Sequence, residues 1–118
     1  MRKKDALGRA GEELAARYLR SRGMEILDRN WRCRLGEIDL VARDGETVVI
    51  CEVKTRSTAG YEGPLAAINH RRLRRLQQLA QAWLSSHEMA QCWVRLDGIG
   101  IVQDSDQGPR IHHVQGIG

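Results

Sequence analysis

At 118 residues, with 42% hydrophobic and 29% charged content, the chain has the size and composition of one ordinary globular domain. No uninterrupted apolar run is longer than Val48 to Cys51, which excludes a membrane-spanning helix, and the basic start MRKKDALGRAGEE leads into no apolar h-region, so the expected compartment is the cytoplasm. Nineteen Lys and Arg against fifteen Asp and Glu leave a net charge of +4, compatible with a nucleic-acid partner but also common in proteins that have none.

From Asp5 to about Arg22, Leu7, Ala10, Leu14 and Tyr18 recur at helical spacing, and Gly23 supplies the stop. MEILDRNWRC reads as a first strand entering a polar turn, and Glu37 to Arg43 and Glu46 to Lys54 as the next two. Between them Asp44-Gly45 is the pair preferred in a two-residue type I′ hairpin, where both central residues need positive φ. RSTAGYEGP reads as a loop. A second helix is predicted from Ala66 to about Ser86, with Leu73, Leu76, Ala80, Trp83 and Leu84 as its apolar stripe and Arg71, Arg74, Arg75 and Gln78 opposite. CWVRLDGIGIV sets Val94 and Leu96 against Arg95 and Asp97 as a fourth strand, weakened at Gly98 and Gly100. A short last strand falls around Ile111 to Val114, within an end read as irregular from about residue 104. The prediction is one domain over residues 1–118: an α/β fold whose mixed sheet is flanked by helices.

Cys33, Cys51 and Cys92 are odd in number and widely separated, which leaves no complete disulfide framework and no C-x-x-C ligand pair. His70, His87, His112 and His113 lack zinc-like spacing, and the adjacent pair His112-His113 is given no role. Trp31, in the polar stretch RNWRC, is placed to stack on a base.

The chemistry concentrates in GEIDLVARDGETVVICEVKTR, residues 36–56, where charges are set into apolar strands. Strand parity puts Glu52 and Lys54 on one face. An Asp44-Gly45 turn would pair Arg43 with Glu46, Asp39 with Ile50 and Glu37 with Glu52. Asp39 and Glu52 would then be diagonal neighbours, roughly 7 to 8 Å apart at the backbone. Carboxylates without His or Cys suit a hard ion, Mg²⁺ or Mn²⁺, with the Val53 carbonyl as a further ligand. Lys54 beside such an ion could orient a water or stabilise charge on a phosphate. The competing reading of Glu-x-Lys alone is a solvated sheet face with a weak ion pair.

GEIDLVARD followed by VVICEVKTR resembles the D…(D/E)-x-K core of the PD-(D/E)XK nucleases. The ensemble GxxGEELAARYL, ILDRNWR, GEIDL and EVKTR, spanning Gly8 to about Asp97, resembles the YraN family of bacterial proteins, which is itself similar to archaeal Holliday-junction resolvases. The resemblance implies a restriction-endonuclease-like αβββαβ core, a divalent metal, a nucleic-acid substrate (DNA in preference to RNA) and pairing as a homodimer. It assigns Asp39 and Glu52 as metal-binding acids, Lys54 as the active-site lysine, and Glu12 as the first-helix acid that follows Gly8 by four residues. Glu12 also shares a line of its helix with Ala15 and Leu19, so it can face the sheet; otherwise it is a surface carboxylate favoured by the helix dipole. Two departures stand out: Arg72 lies near a position where relatives carry lysine, and the end HHVQGIG lacks an aromatic-tipped finish.

Arg71, Arg74 and Arg75, with Arg56 and the amino-terminal Arg2, Lys3 and Lys4, could contact phosphates without reading sequence, or could serve only as a solubilising face. The expectation is therefore a Mg²⁺- or Mn²⁺-dependent endonuclease acting on DNA, branched or otherwise structured. The alternative is a catalytically silent nuclease-fold module that binds nucleic acid or a protein partner.

Overall fold

The computed structural model describes residues 6–56, 69–104 and 108–118. Arg2, Lys3, Lys4 and most of the predicted RSTAGYEGP loop lie outside these residues. The elements run α1 (Ala6–Ser21), β1 (Glu25–Cys33), β2 (Gly36–Asp44), β3 (Thr47–Arg56), α2 (His70–Ser86), β4 (Trp93–Asp104) and β5 (Gly108–Val114). Five strands form one sheet in the order β1-β2-β3-β4-β5, antiparallel except for the parallel β3–β4 pair, whose crossover contains α2. This α/β arrangement is compatible with the restriction-endonuclease-like αβββαβ core, extended by one strand. No helix among the described residues is long and apolar enough to cross a membrane.

The helices cover opposite faces of the sheet. On one face, Ala15, Ala16 and Leu19 of α1 pack with Leu40, Ala42, Val49, Cys51, Ile99 and Ile101. On the other, Leu76, Leu79, Ala80, Trp83 and Leu84 of α2 pack on Ile38, Val41, Val48, Ile50 and Leu96. Buried on both sides, β2 and β3 read as near-continuous apolar runs, as inner strands of a doubly covered sheet do. Each such Leu or Ile contributes about 1.5–3 kcal/mol by leaving water. The small residues of α1 let it sit close to the sheet. A Cβ added to Gly11 would fall 2.0 Å from Thr55 Oγ1 and 2.9 Å from Thr55 Cβ, so only glycine fits where α1 crosses β3.

The hairpin turn differs from the predicted one. Asp44 pairs with Thr47, so Gly45-Glu46 forms the two-residue loop; Gly45 takes φ 62° and Glu46 has no positive φ, the signs of a type II′ rather than a type I′ turn. Moving a two-residue turn by one residue shifts the pairing by two, so the laddered residues Leu40 to Asp44 keep their predicted faces. The observed register sets Leu40, Val41 and Ala42 against Cys51, Ile50 and Val49.

The carboxyl end is more regular than expected. The last strand begins at Gly108 rather than near Ile111, pairs with β4, and is followed by a docked tail in which Ile117 N–H donates to Leu96 O at 2.8 Å. The predicted amino end of the second helix at Ala66 lies outside the described residues. Within them α2 starts at His70, with the Asn69 side chain capping Arg72 N–H at 3.1 Å.

Candidate active site

Strand β2 breaks its alternation where the acids gather. Ile38 packs on the α2 side, whereas Leu40 and Ala42 pack on the α1 side and Val41 returns to the α2 side. Across from this break, Asn30 of β1 adopts φ 51°, a left-handed conformation that Asn tolerates better than most residues. Irregularities of this kind re-aim side chains and end pairing. The β2–β3 ladder stops at Leu40–Cys51, and the next residue, Asp39, replaces a backbone partner: its Oδ2 accepts the Val53 N–H at 2.7 Å. Asp39 thus stands level with Glu52 along the sheet, not diagonal to it as predicted.

Parity places Glu52 and Lys54 on the α2 face, since Ile50 packs there and Cys51 and Val53 pack on the α1 side. Glu52 Oε1 lies 3.5 Å from Lys54 Nζ and also accepts from Arg72 Nη2 of α2. The Glu52 and Lys54 side chains are only 13% and 19% exposed, so this cation pair compensates a largely desolvated carboxylate. Glu12 arrives from the opposite face on α1 and is 8% exposed. The predicted helical line holds: Glu12, Ala15 and Leu19 are buried, while Glu13 points outward to Arg17 and Arg29.

These groups line one cleft of about 820 Å³ that opens where the β2–β3 ladder ends, between the first turns of the two helices. Asp39, Glu52, Val53, Lys54 and Glu12 all line it, as do Arg56, Arg71 and Arg75. Among the described residues no three His, Cys, Asp or Glu side chains close on a common point tightly enough to hold an ion, so Glu12 shares the cleft without completing a triad. Glu37, level with the acids in the predicted register, is engaged by Arg32 Nε at 3.1 Å.

Two candidates for substrate contact are placed elsewhere. Arg74 is exposed and does not line the cleft, because it lies off the line of α2 that carries Arg71 and Arg75 one turn apart. Trp31 packs against the α2-side core and meets His87 edge-on at 6.2 Å between ring centroids, so it is a packing residue and not an open stacking platform.

The sequence reading missed two features. Arg72, noted only as a departure, turns out to hold Glu52; its place one turn before the buried Leu76 was the available signal. Asp97, set with Arg95 against Val94 and Leu96 and given no role, is fully buried, in phase with Ile99 and Ile101. It accepts from Arg95 Nε and Nη2 at 2.9 and 3.1 Å and from Gly116 N–H at 3.1 Å, and it contacts His113 Nε2 at 2.7 Å, while Tyr18 OH meets His113 Nδ1 at 3.0 Å. None of these residues lines the cleft. His113, given no role from sequence, is thus part of a buried polar network.

Fold and cleft together define an α/β domain with two acids and a lysine at the open end of a hairpin. The sequence profile described as uncharacterised protein family UPF0102 matches residues 11–101, and the chain belongs to that family. It is 51% identical to a UPF0102 protein of Arthrobacter sp. strain FB24 over 118 residues, covering 100% of both chains. Similar matches are a UPF0102 protein of Frankia casuarinae, 50% identical with 98% of each chain covered, and one of Streptomyces griseus, 47% identical with 99% of each covered.

Proposed function

We propose that the chain is a metal-dependent endonuclease of the PD-(D/E)XK type, similar to Holliday-junction resolvases, that hydrolyses phosphodiester bonds in branched or otherwise structured DNA in the cytoplasm. One observation carries the reading: Asp39, Glu52 and Lys54, from two strands whose ladder ends between them, line one cleft with arginines at its rim.

The donors fit a hard divalent ion. Mg²⁺ is held by one or two carboxylates with waters completing its shell, and Asp39, Glu52 and the Val53 carbonyl offer oxygen alone. When bound, Mg²⁺ or Mn²⁺ polarises a phosphoryl oxygen and acidifies a water. The chain's own residues do the rest. The Val53 N–H fixes the Asp39 carboxylate, Lys54 orients the attacking water and stabilises negative charge on the phosphate, and Glu12 supports the site from the α1 side. Arg56, Arg71 and Arg75 neutralise neighbouring phosphates, and Arg74 adds only to the long-range field. A domain of this size grips a four-way junction as a symmetric pair, so a homodimer belongs to the proposal.

The second reading, a silent nuclease-fold module that binds nucleic acid or protein, is favoured by the double contact of Lys54 and Arg72 with Glu52, which satisfies that carboxylate without an ion. Incubating the protein with labelled duplex, single-stranded and four-way-junction DNA in Mg²⁺ or Mn²⁺ separates the two. The endonuclease predicts cleavage that Asp39→Ala abolishes; the module predicts binding without cleavage.

A further inference from the structure

Glu52 already has a cation. Arg72 Nη2 and Lys54 Nζ both address the same oxygen, Oε1, of a carboxylate that is largely removed from water. Lys54 shares the strand of Glu52 and lies two residues along it on the same face. Arg72 comes from the first turn of α2, at the cleft rim; its side chain is 41% exposed, and its long stem lets the guanidinium move without moving the helix. Among the described residues its Nε is a buried donor with no hydrogen-bond partner. The guanidinium therefore holds Glu52 through one arm while another donor goes unused, and a buried donor left unpaired is destabilising.

We propose that Arg72 occupies the cation position on Glu52 in the metal-free protein and is displaced by the incoming divalent ion, which frees its guanidinium to clamp a substrate phosphate in the same cleft. The inference rests on the metal-site reading of Asp39 and Glu52 given above. Its physical basis is competition: a divalent ion and a guanidinium repel at close range, and both need lone pairs of the Glu52 carboxylate. Once released, the planar guanidinium matches two phosphate oxygens in a way an ammonium cannot, and Arg71 and Arg75 line the same cleft to complete a basic cradle. Metal and polynucleotide binding then reinforce each other, and the coupling is reciprocal.

Calorimetric titration of the full chain with Mn²⁺ alone, without nucleic acid, tests this. Wild type is compared with Arg72→Gln, Arg72→Lys, Arg71→Gln and Asp39→Asn. Arg72→Gln is expected to bind Mn²⁺ about fivefold more tightly, the order of effect of one partly exposed ion pair. Arg71→Gln removes the same charge from the same cleft without touching Glu52, and is expected to change affinity far less. Arg72→Lys keeps the charge but loses the fork and is expected to fall between wild type and Arg72→Gln. Equal tightening by Arg71→Gln and Arg72→Gln would reduce the effect to bulk charge and overturn the proposal, as would unchanged or weaker binding by Arg72→Gln. If neither wild type nor Arg72→Gln binds Mn²⁺, or if Asp39→Asn binds as well as wild type, it is the metal-site reading itself that fails. Circular dichroism of each variant confirms that the fold is retained.

Discussion

The Asp39 carboxylate accepts the backbone N–H of Val53 at 2.7 Å, taking a ladder position that another strand's carbonyl would ordinarily fill. The same side chain thus closes the end of the β2–β3 hairpin and presents an acid to the cleft. Asp39→Ala leaves the part-buried Val53 N–H unpaired and is expected to lower unfolding free energy by about 1–3 kcal/mol in urea denaturation. Asp39→Asn keeps an acceptor and is expected to lose less than half of that while losing divalent-ion binding. Equal destabilisation by both variants would show that charge, not the hydrogen bond, holds the hairpin end.

Arg71 and Arg75 line the cleft one turn apart, and Arg74 does not. In anisotropy titrations of a labelled duplex, Arg71→Ala and Arg75→Ala are each expected to weaken binding and to reduce the slope of log affinity against log salt by about 1, the signature of one lost phosphate contact. Arg74→Ala is expected to leave the slope nearly unchanged. An equal effect from all three would place the nucleic acid along the outer face of α2.

Asp97 is fully buried and binds Arg95 through both carboxylate oxygens, with His113 and Gly116 as further partners. Removing it by Asp97→Ala leaves a guanidinium 24% exposed, with Asp44 still beside it at 3.2 Å. The expected loss is about 3 kcal/mol, toward the lower end for a broken buried pair, read as a shift in the denaturation midpoint. Because the network lies away from the cleft, affinity for Mn²⁺ is expected to persist.

Burial, reinforced by the nearby charge of Asp97, pushes the Cys51 thiol well above its ordinary value. A group with a raised folded-state pKa contributes stability that is complete below the unfolded value of 9.0 and is lost as pH rises beyond it, because the unfolded thiol ionises first. Stability of the wild type is therefore expected to fall above that pH more steeply than that of Cys51→Ala, by up to about 1.4 kcal/mol per pH unit. Denaturation midpoints measured from neutral to alkaline pH check this; parallel curves for the two proteins would assign the decline to other groups.

Period and turn residues made most of the fold legible, but α1 buries Gly11, Glu12, Ala15, Ala16 and Leu19 rather than the predicted line of Leu7, Ala10, Leu14 and Tyr18, of which Ala10 is exposed. The β2–β3 hairpin shows where that legibility ends. Asp44-Gly45 identified a turn but not its position, because Gly45 can supply the positive φ either as the second central residue of a type I′ turn or as the first of a type II′ turn. Glu52 and Lys54 keep their shared face because the pairing shifted by two residues, which preserves parity. Arg72 and Asp97 were harder: a charge on the edge of an apolar stripe looks like surface until its partner is known. Gly11 gives no sequence signal for the close crossing of α1 over Thr55 beyond being a glycine inside a helix.

Lys54 separates binding from chemistry most cleanly, since it lines the cleft beside the acids without being one of the oxygen donors. The decisive measurement is the rate of cleavage of a labelled four-way junction in Mg²⁺ by wild type and by Lys54→Met, with junction affinity measured in parallel. A phosphodiesterase built on Asp39, Glu52 and Lys54 predicts cleavage by wild type and a loss of at least about a hundredfold in Lys54→Met, with affinity within a few-fold of wild type. Equal cleavage by the two proteins, or tight binding by wild type with no cleavage, would contradict it.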